Sequence, residues 1–167
     1  NYAQEFIEKR IEVDCSQYVD KIRALGKNAP PHDIDELLTE ARLPIIRENC
    51  AAGKKTLIYT HYVEEITEKL ASALRADGHV VVLIGSSAIA TGIDGLQNVC
   101  DQLIINILPW TSSEYEQLTG RIARQGQQSS SVTIVLPITY ANINGTRWSW
   151  EESKLSRIKW KKDVEAQ

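Results

Sequence analysis

The run Gln117-Leu118-Thr119-Gly120-Arg121-Ile122-Ala123-Arg124-Gln125-Gly126-Gln127 has the most chemically suggestive spacing in the chain. Arg121 and Arg124 are three positions apart, so on a helix both guanidiniums share a face and can reach one anion. Guanidinium is planar, permanently charged and forked, which matches phosphate oxygens. A lone R-x-x-R is usually a pair of solvated side chains, but here Gln117, Gly120, Gly126 and Gln127 stand in register around it. Upstream, Ser87-Ala88-Ile89-Ala90-Thr91-Gly92-Ile93-Asp94-Gly95-Leu96-Gln97 is rich in small residues, which let backbone N–H groups approach a phosphate closely.

Those residues need elements to hold them. Thr56–Thr60, His79–Ile84, Leu103–Leu108 and Val132–Leu136 read as short apolar strands. Val63 to Ala76 carries Ile66, Leu70 and Leu74 at i, i+4 and i+8, and Asp77-Gly78 closes it as a helix C-terminus. The paired arginines fall on a helix between the last two strands, capped by Thr111, Ser112 or Ser113. Strands alternating with helices predict a parallel α/β sheet covered on both faces. Residues 1–26 read as helical from Phe6, Ile7, Ile11, Tyr18, Val19, Ile22 and Leu25. A second helix starts near His32 and is interrupted or restarted at Pro44. Val80–Ile84 runs directly into the small-residue segment, leaving no room for the crossover that parallel neighbours need, so a stretch of chain is expected to be missing there.

Bulk properties narrow the possibilities. The chain has 167 residues, enough for one domain with a real core. A net charge of −3 confines any nucleic-acid contact to a local patch or a shared surface. Cys15, Cys50 and Cys100 are scattered and no C-x-x-C exists, which argues against zinc and for reduced thiols in a cytoplasm. No apolar run is long enough to span a membrane. Gly53-Lys54-Lys55-Thr56 fails as a phosphate loop: Glu48 stands where a glycine is needed, Lys55 where Ser or Thr is needed, and the segment precedes a strand. There is no Asp-Glu-x-His or Asp-Glu-x-Asp box, and no G-x-G-x-x-G to suggest a nucleotide-sugar transferase or methyltransferase. The chain begins at Asn1 and has no methionine, so it is expected to be part of a longer polypeptide.

The arginine run resembles motif VI of superfamily-two helicases, and its trailing Gly126-Gln127 is similar to the Swi/Snf branch. Residues 87–97 resemble motif V, and Thr56–Tyr62 is similar to motif IV. Two departures stand out: Gly92-Ile93-Asp94 replaces the branch's usual Gly-Leu-Asn, and Trp110-Thr111-Ser112 its Trp-Asn-Pro. The resemblance implies a RecA-like sheet with helices on both faces and the role of second motor domain in an ATP-dependent DNA helicase or translocase. Arg121 and Arg124 would then be catalytic fingers at the γ-phosphate of ATP. Gly92, Asp94, Gln117 and Gly120 would serve the nucleotide. Thr60, His61, Ser87 and Thr91 would meet the nucleic acid. ATP and Mg²⁺ would be bound mainly by an N-terminal RecA-like domain of the same polypeptide, so this chain alone is expected to be inactive and to hold no metal. The other expected partner is DNA, in the cytoplasm, or at the nucleoid if the source is bacterial. The alternative is a helicase-like domain kept for protein docking without catalysis.

The expected organisation is a helical N-terminal extension over 1–41, the RecA-like domain over 42–140, and a C-terminal extension with a brace helix over 141–167. Trp148, Trp150 and Trp160 lie among Lys154, Arg157, Lys159, Lys161 and Lys162, but Glu151, Glu152, Asp163 and Glu165 offset the charge, which favours a brace over a binding patch.

Overall fold

The structure, a computed structural model, describes residues 5–51, 56–61, 65–78, 81–84, 101–120 and 131–157. In chain order these form β1 (Glu5–Asp14), a 3-10 turn (Ser16–Tyr18), α1 (Val19–Ala24), α2 (Pro31–Ala51), β2 (Thr56–Thr60), α3 (Glu65–Ala76), β3 (Val81–Ile84), β4 (Gln102–Ile107), α4 (Ser112–Gly120), β5 (Ser131–Ile143) and β6 (Thr146–Trp148). The last described helix, α5, covers 150–157.

Five strands run parallel in the order β1-β5-β4-β2-β3, and β6 folds back antiparallel on β5. Alternate side chains on each strand leave the sheet on opposite sides, so two cores form. Leu57, Tyr59, Leu103, Ile105, Val132, Ile134 and Leu136 face one way, where Leu118 of α4 packs. Ile58, Ile104 and Val135 face the other, under Ile46 of α2 and Ile66, Leu70 and Leu74 of α3. Coverage on both sides makes β2 and β4 continuously buried, as expected for a parallel sheet. α3 ends at Ala76, and Gly78 two residues on has a φ of +80°, the left-handed geometry a helix C-terminus exploits.

The expected helix over residues 1–26 is corrected. Residues 5–14 are an edge strand, paired with β5 from Glu5↔Ser131 to Asp14↔Tyr140, and only Val19–Ala24 is α-helical. Ile7 and Ile11 satisfy a helical i, i+4 spacing, but four is also a multiple of two. Charged Glu8, Arg10, Glu12 and Asp14 fill the alternate positions, and the branched side chains favour the strand. α2 also runs unbroken through Pro44 and across the 41/42 boundary. Its start at Pro31 needs no N–H, which suits proline at a first helical position.

The C-terminal region differs too. β5 extends past Leu136 to Ile143 because Pro137 lies beyond the last β4 pairing, at Val135. There it faces only β1, and its missing N–H breaks no ladder with β4. Asn144 and Gly145, at φ +53° and +80°, then turn the chain into β6. This is the two-residue hairpin that an Asn-Gly pair favours. Val13, Cys15, Leu38, Ala41 and Ala141 form a third core that joins β1, α2 and the hairpin, with Trp148 and Trp150 packed against it.

Candidate functional site at the carboxyl edge of the sheet

Open α/β sheets bind ligands beyond the carboxyl ends of their strands. Here that edge holds a buried polar network. Asp35 and Arg42 project from one face of α2, seven residues apart, and Glu151 and Lys154 from α5. All four are buried. Arg42 Nη2 donates to Asp35 Oδ1 at 3.0 Å and to Glu151 Oε2 at 2.7 Å. Lys154 Nζ donates to Asp35 Oδ2 at 3.2 Å, and Trp150 Nε1 to Asp35 Oδ1 at 3.0 Å. Glu151 Oε1 accepts from the Thr139 backbone N–H at 2.6 Å and from its hydroxyl. Asn106 at the end of β4 donates to Thr39 Oγ1 at 3.2 Å.

The quartet contains two cations and two carboxylates, the balance that buried charge requires. Burial works against the charge on Arg42, but Glu151 and Asp35 outweigh it and its pKa is raised. For Lys154 burial dominates and the pKa is lowered, although Asp35 pulls the other way.

Around this core lies a partly open rim. His61, just past β2, has a side chain 18% exposed, with Nδ1 3.1 Å from the Tyr59 hydroxyl and 3.8 Å from Glu114 Oε2. Burial lowers the His61 pKa; Glu114 opposes that shift, Lys154 adds to it and Asp35 opposes it. α4 starts at the same rim. Thr111 Oγ1 accepts from the Glu114 N–H at 3.1 Å and donates to its carboxylate at 3.2 Å, so Thr111 is the N-cap. Trp110 meets Trp150 edge-on, with centroids 6.3 Å apart, and Lys154 Nζ lies 4.2 Å from the Trp110 ring centre.

The residues singled out in the sequence fall as follows. Thr60 is fully buried, with its hydroxyl 3.5 Å from Asn106 Nδ2, so it presents no surface to a phosphate. His61 is reachable. Gln117 is exposed on α4, about 9 Å along the axis from Thr111. Gly120 is the last described residue of α4, and a methyl group there would meet nothing within 4 Å among the described residues. Ser87, Thr91, Gly92, Asp94, Arg121 and Arg124 lie outside the described residues. Thr60 and His61 therefore share the carboxyl edge with the start of α4, and Gln117 sits farther along that helix.

The quartet was missed by sequence reasoning. Asp35, Thr39, Arg42 and Ile46 form one helical stripe, but charged positions on a helix normally mean a solvated face. The hairpin did have a signal, Asn144-Gly145 followed by Thr146-Arg147-Trp148. In the first turn of α2, His32, Asp33 and Glu36 are grouped as a metal site could be, but the Lys69 ammonium holds Glu36 at 2.6 Å.

With fold and edge in view, the class is clear: an α/β domain of RecA-like architecture. Residues 64–126, the stretch that includes α3, β3, β4, α4 and the paired arginines, match the family described as "Helicase conserved C-terminal domain". The fold is similar to the "Crystal structure of the C-terminal part of Fun30 ATPase domain", with a TM-score of 0.57 and 15% identity over 71% of this chain. The chain spans 45% of that structure's length. No curated protein matches. Among the described residues no helix is long and apolar enough to cross a membrane.

Proposed function

We propose that this domain is the second motor domain of an ATP-dependent DNA helicase or translocase of Swi/Snf-like type. The observation that carries the reading is that Gln117–Gly126, all of the arginine run but its last residue, lies within the matched segment and begins on α4, the helix that starts at the carboxyl edge of a parallel sheet. Arg121 and Arg124 reach ATP held by a first RecA-like domain of the same polypeptide and offset the charge that spreads over the transferring phosphoryl group. An arginine finger of this kind contributes on the order of 10³–10⁵ in rate. Gln117 is exposed on α4, four positions before Arg121 in sequence, and orients the pair. Gly92 and Gly120 admit close approach, and Asp94 takes a ribose hydroxyl or steadies a finger.

Mg²⁺ belongs to the first domain in this reading. The carboxylates buried at this edge, Asp35 and Glu151, are already occupied by Arg42 and Lys154. Bound there, Mg²⁺ would neutralise phosphate charge. DNA phosphates are met by Ser87, Thr91 and His61, while the burial of Thr60 gives it the supporting role of anchoring the end of β2. Closure on ATP and opening after hydrolysis move these contacts relative to those of the first domain.

The test is Arg124→Ala in the two-domain protein. DNA-stimulated ATP turnover is expected to fall at least ~10³-fold with the fold intact by circular dichroism. Turnover retained within a few fold removes Arg124 from the mechanism. This chain alone is expected to hydrolyse no ATP.

A further inference from the structure

The segment between β4 and α4, Leu108 to Thr111, sets where α4 begins and hence where the residues that follow it are presented. One buried side chain from another part of the sequence grips it twice. Lys154 of α5 donates to the Leu108 carbonyl at 3.4 Å and lies 4.2 Å from the centre of the Trp110 ring. Its ammonium is itself fixed by Asp35 at 3.2 Å, and Asp35 also receives Arg42 and Trp150. The side chain is 3% exposed, so water does not compete for these contacts. A buried ammonium held by carboxylate, carbonyl and aromatic face is a stiff strut, because every alternative position leaves the charge unsolvated.

We propose that Lys154 is a positioning residue for α4, the helix whose C-terminal end leads in sequence to the paired arginines: it locks the Leu108–Thr111 segment, through Asp35, to α2 and thereby fixes the start of α4. The proposal rests on reading this domain as a motor half. It gives α5 a role beyond covering the sheet, since Lys154 of α5 ties the start of α4 to a helix more than thirty residues further along the chain. Small displacements matter in such a site, where a shift of roughly 1 Å in a positioned group can cost on the order of a hundredfold in rate.

The test is Lys154→Met, which keeps the stem and removes the ammonium. Hydrogen exchange on the whole chain is expected to speed up roughly tenfold or more for amides in 108–120, with those of β2 and the first half of β5 within about twofold of the parent. In the two-domain protein with DNA, kcat for ATP hydrolysis is expected to fall roughly tenfold with KM for ATP within about twofold. Leu74→Ala opens a cavity in the core under α3, on the face of the sheet opposite the one that α4 covers, and serves as the destabilised comparison; its kcat is expected to match the parent. If Lys154→Met does not fold, Trp110→Leu keeps the Lys154–Asp35 pair, removes the ring, and is expected to give the same exchange pattern. Unchanged exchange across 108–120 overturns the proposal, as does faster exchange with unchanged kcat. Full turnover in Arg124→Ala overturns the motor reading itself, so the two failures are distinguishable.

Discussion

Arg42→Met tests the buried quartet most severely. Arg42 links the two carboxylates, Asp35 at 3.0 Å and Glu151 at 2.7 Å, in a site where its side chain is 1% exposed. After the substitution Asp35 keeps Lys154 and Trp150, but Glu151 keeps only the Thr139 hydroxyl and N–H and is left as a buried carboxylate with no cation. Breaking a buried pair by removing one partner costs about 3–5 kcal/mol. For a domain of this size that is roughly 6–20 °C in Tm, at about 2–4 °C per kcal/mol. Glu151→Gln is milder, because the amide oxygen still accepts from Thr139 and Arg42 still has Asp35; the loss of one charge-assisted bond is worth about 1.5–3 kcal/mol. Combining Arg42→Met with Glu151→Leu removes both charges and should recover part of the loss. Urea titration followed by tryptophan emission measures all three, since Trp110 and Trp150 border the network. If Arg42→Met loses less than about 1 kcal/mol, the quartet is not a structural charge cluster and its account here is wrong.

Two further outcomes follow from the same geometry. His61 has a folded-state pKa below its ordinary 6.5, so between those two values the unfolded chain binds more protons. Stability therefore falls as pH drops from about 6.5 towards the folded value, and His61→Gln should flatten that slope in unfolding measured at pH 5.5 and 7.5; an unchanged slope would assign it to other groups. Gly145→Ala meets no neighbour within 4 Å but must hold φ at +80°, so its cost should be conformational alone, about 1–2 kcal/mol by urea midpoint.

How far the sequence could be read depended on whether the deciding interaction was local. β2, α3, β4 and α4 were legible because each satisfies its own periodicity and punctuation: Leu70 and Leu74 on one helical stripe, Gly78 at a left-handed end, Thr111 ready to cap. β1 was misread because Ile7 and Ile11 fit both periods and the choice is made by β5, more than a hundred residues away. Asp35 and Arg42 were invisible as a site because their partners, Glu151 and Lys154, lie at the other end of the chain, and nothing near α2 marks its charged stripe as covered. The hairpin at Asn144-Gly145 has a local signal, but Pro137 interrupts the apolar run before it, and only the pairing with β1 carries the strand on to Ile143. Thr60 was placed correctly at the end of β2, but the polarity there is absorbed internally by Asn106.

The strand order has a consequence for biosynthesis. Among the described strands β5 is the last long one to be made, yet it lies between β1, the earliest of them, and β4. Glu5 waits for Ser131, 126 positions further on, and at ribosomal speeds of about 5–20 residues per second that stretch takes roughly 6–25 s. Until then the nascent chain carries one unpaired ten-residue ribbon and a half-sheet whose β4 side is bare, both ready templates for wrong partners. The closing of this sheet is thus a late event, with the central ribbon threaded between two older ones and the charged quartet able to assemble only once α5 has left the ribosome.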